Sequence, residues 1–396
     1  MATESGRLHI AVLTVPGYGH VTPPLGMVAE LVRRGHRVTF ATGAEFVDTV
    51  AATGADPVRY DFTDRFSSHD AWEALCAVPS SADMLSTMDS RMMVDPPDLI
   101  AFDSTMWIVG RAVSSKWGRP SVQLCPCFAS NEHFSLTARM AAVEDPSEAD
   151  TDDDYDFIGA LRHFLTELGL PDPSPEGLLG RDEERKVVFL PREFQFHGET
   201  FGPTHVFAGP GVAVVRDAWT PPASGLPVVL ISLGTSEANR RPEFFRDCAR
   251  LFTGQPWHVV MTLGGGVRPA ELGPLPDNIE AHRFVPHPAV LRHASAFVTA
   301  AGMGSVLEAL HCGTPLVMVP QHSEQKVNAE RVVELGLGRT LPGNEINATA
   351  IYEAVQAIHD DKPMRQRLSA MRHAIHEAGG ATTAADAIET WAMAKV

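Results

Sequence analysis

The chain is short of cysteine, of basic charge and of long apolar runs. Five of its 396 residues are cysteine (Cys76, Cys125, Cys127, Cys248, Cys312), scattered and odd in number, which argues against a disulfide framework. Cys125-Pro-Cys127 is too tightly spaced for the usual zinc knuckle and reads as a buried strand end. Lys and Arg number 32 against 49 Asp and Glu, a formal net charge of -17. A nucleic-acid binder usually needs a basic face, so no nucleic-acid partner is expected. The same balance leaves a nucleotide ligand open, because backbone groups can hold its phosphates. No apolar run reaches the roughly 18 residues of a membrane span, so no membrane partner is expected. The opening Leu8–Val15 lacks a basic flank and a small-residue cleavage site, and reads as a first strand rather than a signal peptide. A reducing cytoplasm fits these features. The acidic run Asp150–Asp156 lacks the glycine and distal glutamate of a calcium loop and reads as solvated loop. Gly17-Tyr-Gly19 has no third glycine after it, which argues against a nicotinamide dehydrogenase.

What is present is an α/β rhythm in two halves. A strand at Leu8–Val15 runs into Pro16-Gly-Tyr-Gly-His20, then a helix from about Pro23 to Arg34, whose prolines suit a helix start. Leu25, Val28, Leu31 and Val32 share one face at helical spacing. Gly35 ends the helix and Arg37–Ala41 is the next strand, so the sheet is parallel with a right-handed crossover. Further strands are Leu99–Phe102 and Ser121–Leu124, with a helix at Met106–Trp117. The Pro- and Gly-containing stretch Val215–Pro227 reads as a linker, followed by strands near Pro227–Ser232, Trp257–Thr262, Ile279–Phe284, Phe297–Ala300 and Pro315–Val319. The expected division is a first domain over 1–215, a linker over 216–227, a second domain over 228–378, and a C-terminal helix over 379–396 packing back on the first domain.

The most informative segment is Phe297-Val-Thr-Ala-Ala-Gly-Met-Gly-Ser-Val-Leu-Glu-Ala-Leu310. It reads as a strand, a glycine turn (Gly302, Gly304) and a helix opening at Ser305. Unpaired N–H groups and the helix dipole make such a start an anion site. Glu308 then lies where a ribose diol can donate to it. Plain helix–sheet packing accounts for the same pattern without a ligand. His20 sits where open α/β sheets bind ligands and can take a hydroxyl proton near neutral pH. Asp103 ends the strand beside the first one and can fix the imidazole tautomer; capping the next helix is its alternative. Thr235 can bond a phosphate, Phe284 can stack on a base, and Gln321, Glu324 and Gln325 can read sugar hydroxyls; a turn, a core ring and a capped helix start are the plainer readings. The less regular stretches near 60–97 and 129–180 hold Met84, Met88, Phe128 and Phe134, either ordinary core or a pliable apolar pocket.

Taken together these residues resemble the macrolide-type glycosyltransferases of glycosyltransferase family 1. The matching pieces are Gly17-Tyr-Gly-His-Val-Thr-Pro23 with Gly35-His-Arg-Val38, Pro97–Asp103, Asn131-Glu-His-Phe134, Ser232-Leu-Gly-Thr235, Arg283-Phe-Val-Pro286, Phe297–Leu310 and Val319-Pro-Gln-His-Ser-Glu-Gln325. The resemblance implies a GT-B architecture, two Rossmann-like parallel-sheet domains facing across a cleft that closes on the donor. It implies inverting transfer of a glucose-like sugar from a nucleotide sugar to a hydroxyl of a macrolide, polyketide or phenolic acceptor. His20 is then the general base and Asp103 its partner. Thr235, Gly302, Gly304 and Ser305 hold the diphosphate, Glu308 the ribose, Phe284 with Val285 the base, and Gln321, Glu324 and Gln325 the donor sugar. Met84, Met88, Phe128 and Phe134 shape the acceptor pocket. No cofactor or metal is expected beyond the co-substrate, UDP-glucose or a dTDP-sugar, with UDP favoured because Glu308 suits a full ribose diol. A dTDP-deoxysugar enzyme of natural-product biosynthesis and a non-catalytic sugar-nucleotide-binding auxiliary protein are the alternatives; monomer and homodimer both stay open. One position departs from the family: Ala300 stands where a histidine usually donates to the diphosphate. Losing such a bond to a charged group costs about 1.5–3 kcal/mol.

Overall fold

The computed structural model describes residues 6–61, 87–92, 94–144, 157–169, 185–212, 219–234, 242–341 and 347–394. The chain forms two compact units: Met1–Ser135 with Asp145–Gly211 and Ala378–Val396, and Leu136–Glu144 with Val212–Glu377. Leu136–Glu144 therefore clusters with the second unit, although the sequence reading put it in the first half. Its Arg139 pairs with Glu330 of that unit, at 2.9 Å from Nε to the carboxylate.

The first unit is a seven-stranded parallel sheet in the order β3-β2-β1-β4-β5-β6-β7. Its strands are β1 (His9–Leu13), β2 (Arg37–Thr42), β3 (Asp56–Arg59), β4 (Leu99–Asp103), β5 (Ser121–Cys125), β6 (Arg185–Val188) and β7 (His205–Phe207). β1 and β4 are buried along their whole length, as a sheet covered on both faces requires. Strand order reverses between β1 and β4, which pair with Leu13 opposite Phe102. That reversal opens a crevice at the carboxyl ends of the two strands.

Helix α1 spans Tyr18–Arg33 and so begins five residues before the start expected from its prolines. Pro23 and Pro24 lie inside it. Lacking N–H groups, they leave the carbonyls of Gly19 and His20 without their usual helical donors. Helix α2 (Trp107–Trp117) covers β4 so closely that a Cβ on Gly110 would meet the Phe102 ring at 2.1 Å. The C-terminal helix Gly380–Met393 packs on α1 in this unit: Ala384, Ala385 and Ile388 share a core with Val28 and Leu31. Arg34 reaches Asp386 and Glu389 at 2.6 Å each, and His36 reaches Glu389 at 2.6 Å.

The second unit is a six-stranded parallel sheet, β10-β9-β8-β11-β12-β13. Its strands are β8 (Val228–Ser232), β9 (His258–Thr262), β10 (Ile279–His282), β11 (Ala294–Thr299), β12 (Leu316–Met318) and β13 (Gly338–Thr340). Its helices include α3 (Pro242–Phe252), α4 (His287–Leu291), α5 (Met303–Cys312) and α6 (Ser323–Glu334). Order reverses between β8 and β11, where Ser232 lies opposite Thr299. Four short strands, β3, β6, β7 and β13, were not anticipated, since three or four residues carry too little pattern to announce a strand.

Candidate active site

In the first unit, the reversal point between β1 and β4 brings His20 and Asp103 together. His20 lies in the first turn of α1, rather than in a loop after the strand, and its Nδ1 is 3.0 Å from Asp103 Oδ2. The imidazole is 30 % exposed and the carboxylate 1 %. Asp103 also caps the next turn: its Oδ1 accepts from the Thr105 N–H at 2.8 Å and from Thr105 Oγ1 at 2.5 Å. One carboxylate oxygen thus faces the imidazole and the other caps the turn. With Asp103 accepting at Nδ1, a neutral His20 carries its proton there and has its lone pair on Nε2. Behind the pair, burial first and the Asp103 charge second hold the Tyr60 hydroxyl far above its ordinary range; that hydroxyl donates to the Thr14 carbonyl at 2.6 Å. A Cβ on Gly17 would make an ordinary 3.4 Å contact with the His20 ring, and one on Gly19 would meet nothing within 4 Å, so room for the imidazole does not depend on these glycines.

In the second unit, the turn after β11 is bare. α5 starts at Met303, two residues earlier than expected, and no side chain caps it. Its first i→i−4 bond runs from Val306 N–H to the Gly302 carbonyl, so the N–H groups of Met303, Gly304 and Ser305 have no partner within the helix. A Cβ added at Gly302 or Gly304 would meet nothing within 4 Å. Helix–sheet packing therefore does not demand these glycines, and open space lies beside the helix start. The left-handed residue of the turn is Ala301, at φ 66°, while Gly302 has an ordinary φ of -59°. An alanine in that region costs roughly 1–2 kcal/mol. Ala300, in the place where the family resemblance calls for histidine, is 2 % exposed.

Around this turn stand the other candidates. Glu308, in the second turn of α5, is partly exposed, with an oxygen 3.4 Å from His287 Nδ1 at the start of α4. Phe284 follows β10 and is 55 % exposed, with the Arg283 guanidinium 5.8 Å from its ring centre; Val285 beside it is half-buried. At α6, the Gln325 side-chain oxygen accepts from the Gln321 N–H at 2.8 Å, and Gln321 Nε2 donates to the Val319 carbonyl at 2.7 Å. Both side chains thus brace the helix start. Glu324 Oε1 takes a hydrogen bond from Asn328 Nδ2 at 3.3 Å.

The acceptor candidates fall differently. Met88 is wholly buried in the core with Leu13 and Phe102. Phe128 and Phe134 are buried in an aromatic cluster, stacked on Phe194 and Phe196 at 5.5 and 4.9 Å. Met84 and Thr235 lie outside the described residues. Sequence reasoning passed over Thr105, His287, Asn328 and Tyr18. Tyr18 is 59 % exposed in the turn that carries His20. For Tyr18, Thr105 and His287 signals were present: an aromatic between two glycines, a hydroxyl two residues after a carboxylate, and a histidine between two prolines. Among the described residues no group of three or more His, Cys, Asp or Glu side chains is placed to hold a metal, and no helix is long and apolar enough to cross a membrane.

Two parallel α/β units, one with a His–Asp pair and one with a bare helix start at their reversal points, match the two-domain GT-B architecture of glycosyltransferases. Comparison with known proteins agrees. The family model "Erythromycin biosynthesis protein CIII-like, C-terminal domain" matches residues 257–388. The chain is 36 % identical to the NDP-glycosyltransferase YjiC of Bacillus licheniformis, over 98 % of each chain. It is 34 % identical to the demethyllactenocin mycarosyltransferase of Streptomyces fradiae, over 96 % of this chain and 86 % of that one. The crystal structure of CalG4, the calicheamicin glycosyltransferase, superposes with a TM-score of 0.85 at 39 % identity, covering 97 % of this chain and 98 % of that one. The chain belongs to the macrolide-type glycosyltransferases and is a glycosyltransferase.

Proposed function

We propose that the enzyme transfers a glucose-like sugar, with inversion, from a UDP-sugar to a hydroxyl of a macrolide, polyketide or phenolic small molecule. The observation that carries this reading is the His20–Asp103 pair, with Nδ1 engaged at 3.0 Å by a buried carboxylate. The acceptor hydroxyl donates its proton to His20 Nε2 as its oxygen attacks the anomeric carbon. The bond from that carbon to the diphosphate breaks on the opposite face, so one displacement inverts the centre. Asp103 steadies the imidazolium that forms. The leaving diphosphate, which gains charge, meets the N–H groups of Met303, Gly304 and Ser305, which have no partner within the helix, and the positive end of α5. No cofactor enters this scheme. Glu308 accepts from the ribose hydroxyls, Phe284 covers the base with Val285 beside it, and Glu324, with Gln321 and Gln325 bracing the helix start, faces the donor sugar. Phe128, Phe134 and Met88 back the acceptor pocket. The acceptor class rests on relatives named for demethyllactenocin and calicheamicin.

A dTDP-deoxysugar donor is the second reading, motivated by the relative named a mycarosyltransferase. Calorimetric titration with UDP and dTDP in parallel separates the two without knowledge of the acceptor. Tighter UDP binding is expected. Preference for dTDP moves the search to deoxysugar donors, and binding of neither overturns the donor site. His20→Ala is expected to abolish transfer while leaving nucleotide binding intact; unchanged turnover would sink the mechanism.

A further inference from the structure

We infer that Asn328 is a positioning residue of the donor site, a single buried amide that sets both the phosphate turn and the sugar-facing carboxylate. This rests on the donor-site reading above. Asn328 lies on α6 and is wholly buried. Its Nδ2 donates to the Ala301 carbonyl at 3.0 Å and to Glu324 Oε1 at 3.3 Å. An amide nitrogen has two hydrogens, so both bonds can form at once.

Each acceptor matters for a different reason. Ala301 is the left-handed residue of the turn, wholly buried, with its N–H on Thr299 Oγ1 at 3.3 Å. A left-handed alanine persists only where its surroundings over-determine it. Its carbonyl direction also fixes the plane of the Ala301–Gly302 peptide, and with it the angle at which α5 begins. Holding that carbonyl therefore aims the N–H groups of Met303, Gly304 and Ser305 at the start of α5. Glu324, one turn before Asn328 on the same helix, has its carboxylate drawn to the same nitrogen. The Asn328 Oδ1 atom, by contrast, is buried without a hydrogen-bond partner. A buried unpaired carbonyl is unfavourable, and an apolar residue of similar size would avoid it. The residue is explained by what its nitrogen holds.

A purely structural amide and a positioning amide separate in a double-mutant cycle read by UDP affinity. Asn328→Ala is made in the wild-type and in the Ala301→Gly background, because glycine adopts the left-handed turn without help. Whatever Ala301→Gly does alone, Asn328→Ala is expected to weaken UDP about tenfold or more with alanine at 301, and about threefold or less with glycine there. The donor KM keeps a residual increase in the glycine background, because Glu324 stays unheld and only a bound sugar reads it. Equal loss in both backgrounds, or UDP affinity within twofold of wild type for Asn328→Ala, overturns the inference. If Asn328→Ala does not fold, the double variant decides: folding, with UDP binding within about threefold of Ala301→Gly, supports the inference, and failure to fold or bind refutes it. Wild-type protein that binds neither UDP nor dTDP refutes the donor-site reading itself, a different result from any of these.

Discussion

Asp103→Asn tests the proposed catalytic pair most sharply, because it changes charge and hydrogens while keeping shape. In the wild type one carboxylate oxygen takes the Thr105 N–H and hydroxyl at 2.8 and 2.5 Å, and the other faces His20 Nδ1 at 3.0 Å. An asparagine that keeps its oxygen on Thr105 turns its NH2 toward His20. Two N–H groups cannot share that contact, so the imidazole moves its proton to Nε2 and can no longer accept from a hydroxyl. The imidazolium of the transition state also loses a bond to a buried charge, about 1.5–3 kcal/mol, or one to two decades in rate. The wrong tautomer adds to this, so kcat is expected to fall by about two to four decades. The opposite rotamer keeps the tautomer but sets NH2 against the Thr105 N–H. That sacrifices the cap, roughly 1 kcal/mol of stability, and still removes the charge. The assay is sugar transfer at saturating donor and acceptor, with melting temperature and UDP affinity measured beside it. Rate should collapse while UDP affinity stays, since the proposed donor groups belong to the other unit. A variant with kcat within about threefold of wild type refutes the pair as catalytic machinery and leaves Asp103 as a cap.

Other outcomes are expected from single sites. Phe284→Ala should weaken UDP about three- to tenfold without lowering the melting temperature, because the ring is 55 % exposed and its only assigned work is stacking; unchanged affinity removes it from the donor site. Ala300→His should preserve or raise transfer activity by restoring a diphosphate donor, and a clear loss would show that the buried position, 2 % exposed, requires a small residue. Stability of the first unit should fall as pH drops from about 6.5 through 4. Burial, then the Arg37 charge, lowers His9 to about 4, and burial, then Lys186 and Arg192, lowers His205 to about 4. The unfolded chain then binds more protons in that window, so the stabilisation is complete above the ordinary histidine value and is lost on acidification. Melting temperatures from pH 7 to 4 check this, with His9→Gln flattening the slope; a slope unchanged by that substitution counts against His9.

The sequence was most legible where function imposes a pattern on residue types. His20 and Asp103 could be paired because a β–α–β start requires parallel strands, so the turn that follows one strand and the end of its neighbour share one sheet edge. The glycine turn after β11 could be found because glycine before a helix is informative in itself. Legibility failed where the signal was ambiguous or small. Pro23 and Pro24 suggested a helix start, yet α1 begins at Tyr18, since packing of Val21, Met27 and Val28 against the core outweighs the backbone bonds the prolines forgo. The left-handed residue is Ala301, although a glycine follows it, and nothing in a composition rule selects alanine for that conformation. Asn328 was invisible because an asparagine between Val327 and Ala329 on a helix looks like surface, and only the fold shows that it is wholly buried.

The two units show why fold alone does not assign the chemistry. Both sheets follow one order, third, second, first, fourth, fifth and sixth strand of the unit, with an extra strand on the first. Both therefore present a crevice between their first and fourth strands. What separates them is the decoration of the turns. After β1, the first turn of α1 carries an imidazole, and β4 ends in the carboxylate that faces it, which is the pair proposed to move a proton. After β11, the start of α5 has neither side-chain cap nor acidic residue, so that crevice offers N–H groups and a helix dipole suited to an anion. A carboxylate cap on α5 would neutralise that end, and an apolar residue at His20 would silence the other. Packing leaves the Cβ positions of the glycines at 302 and 304 open, so nothing beneath the turn demands them.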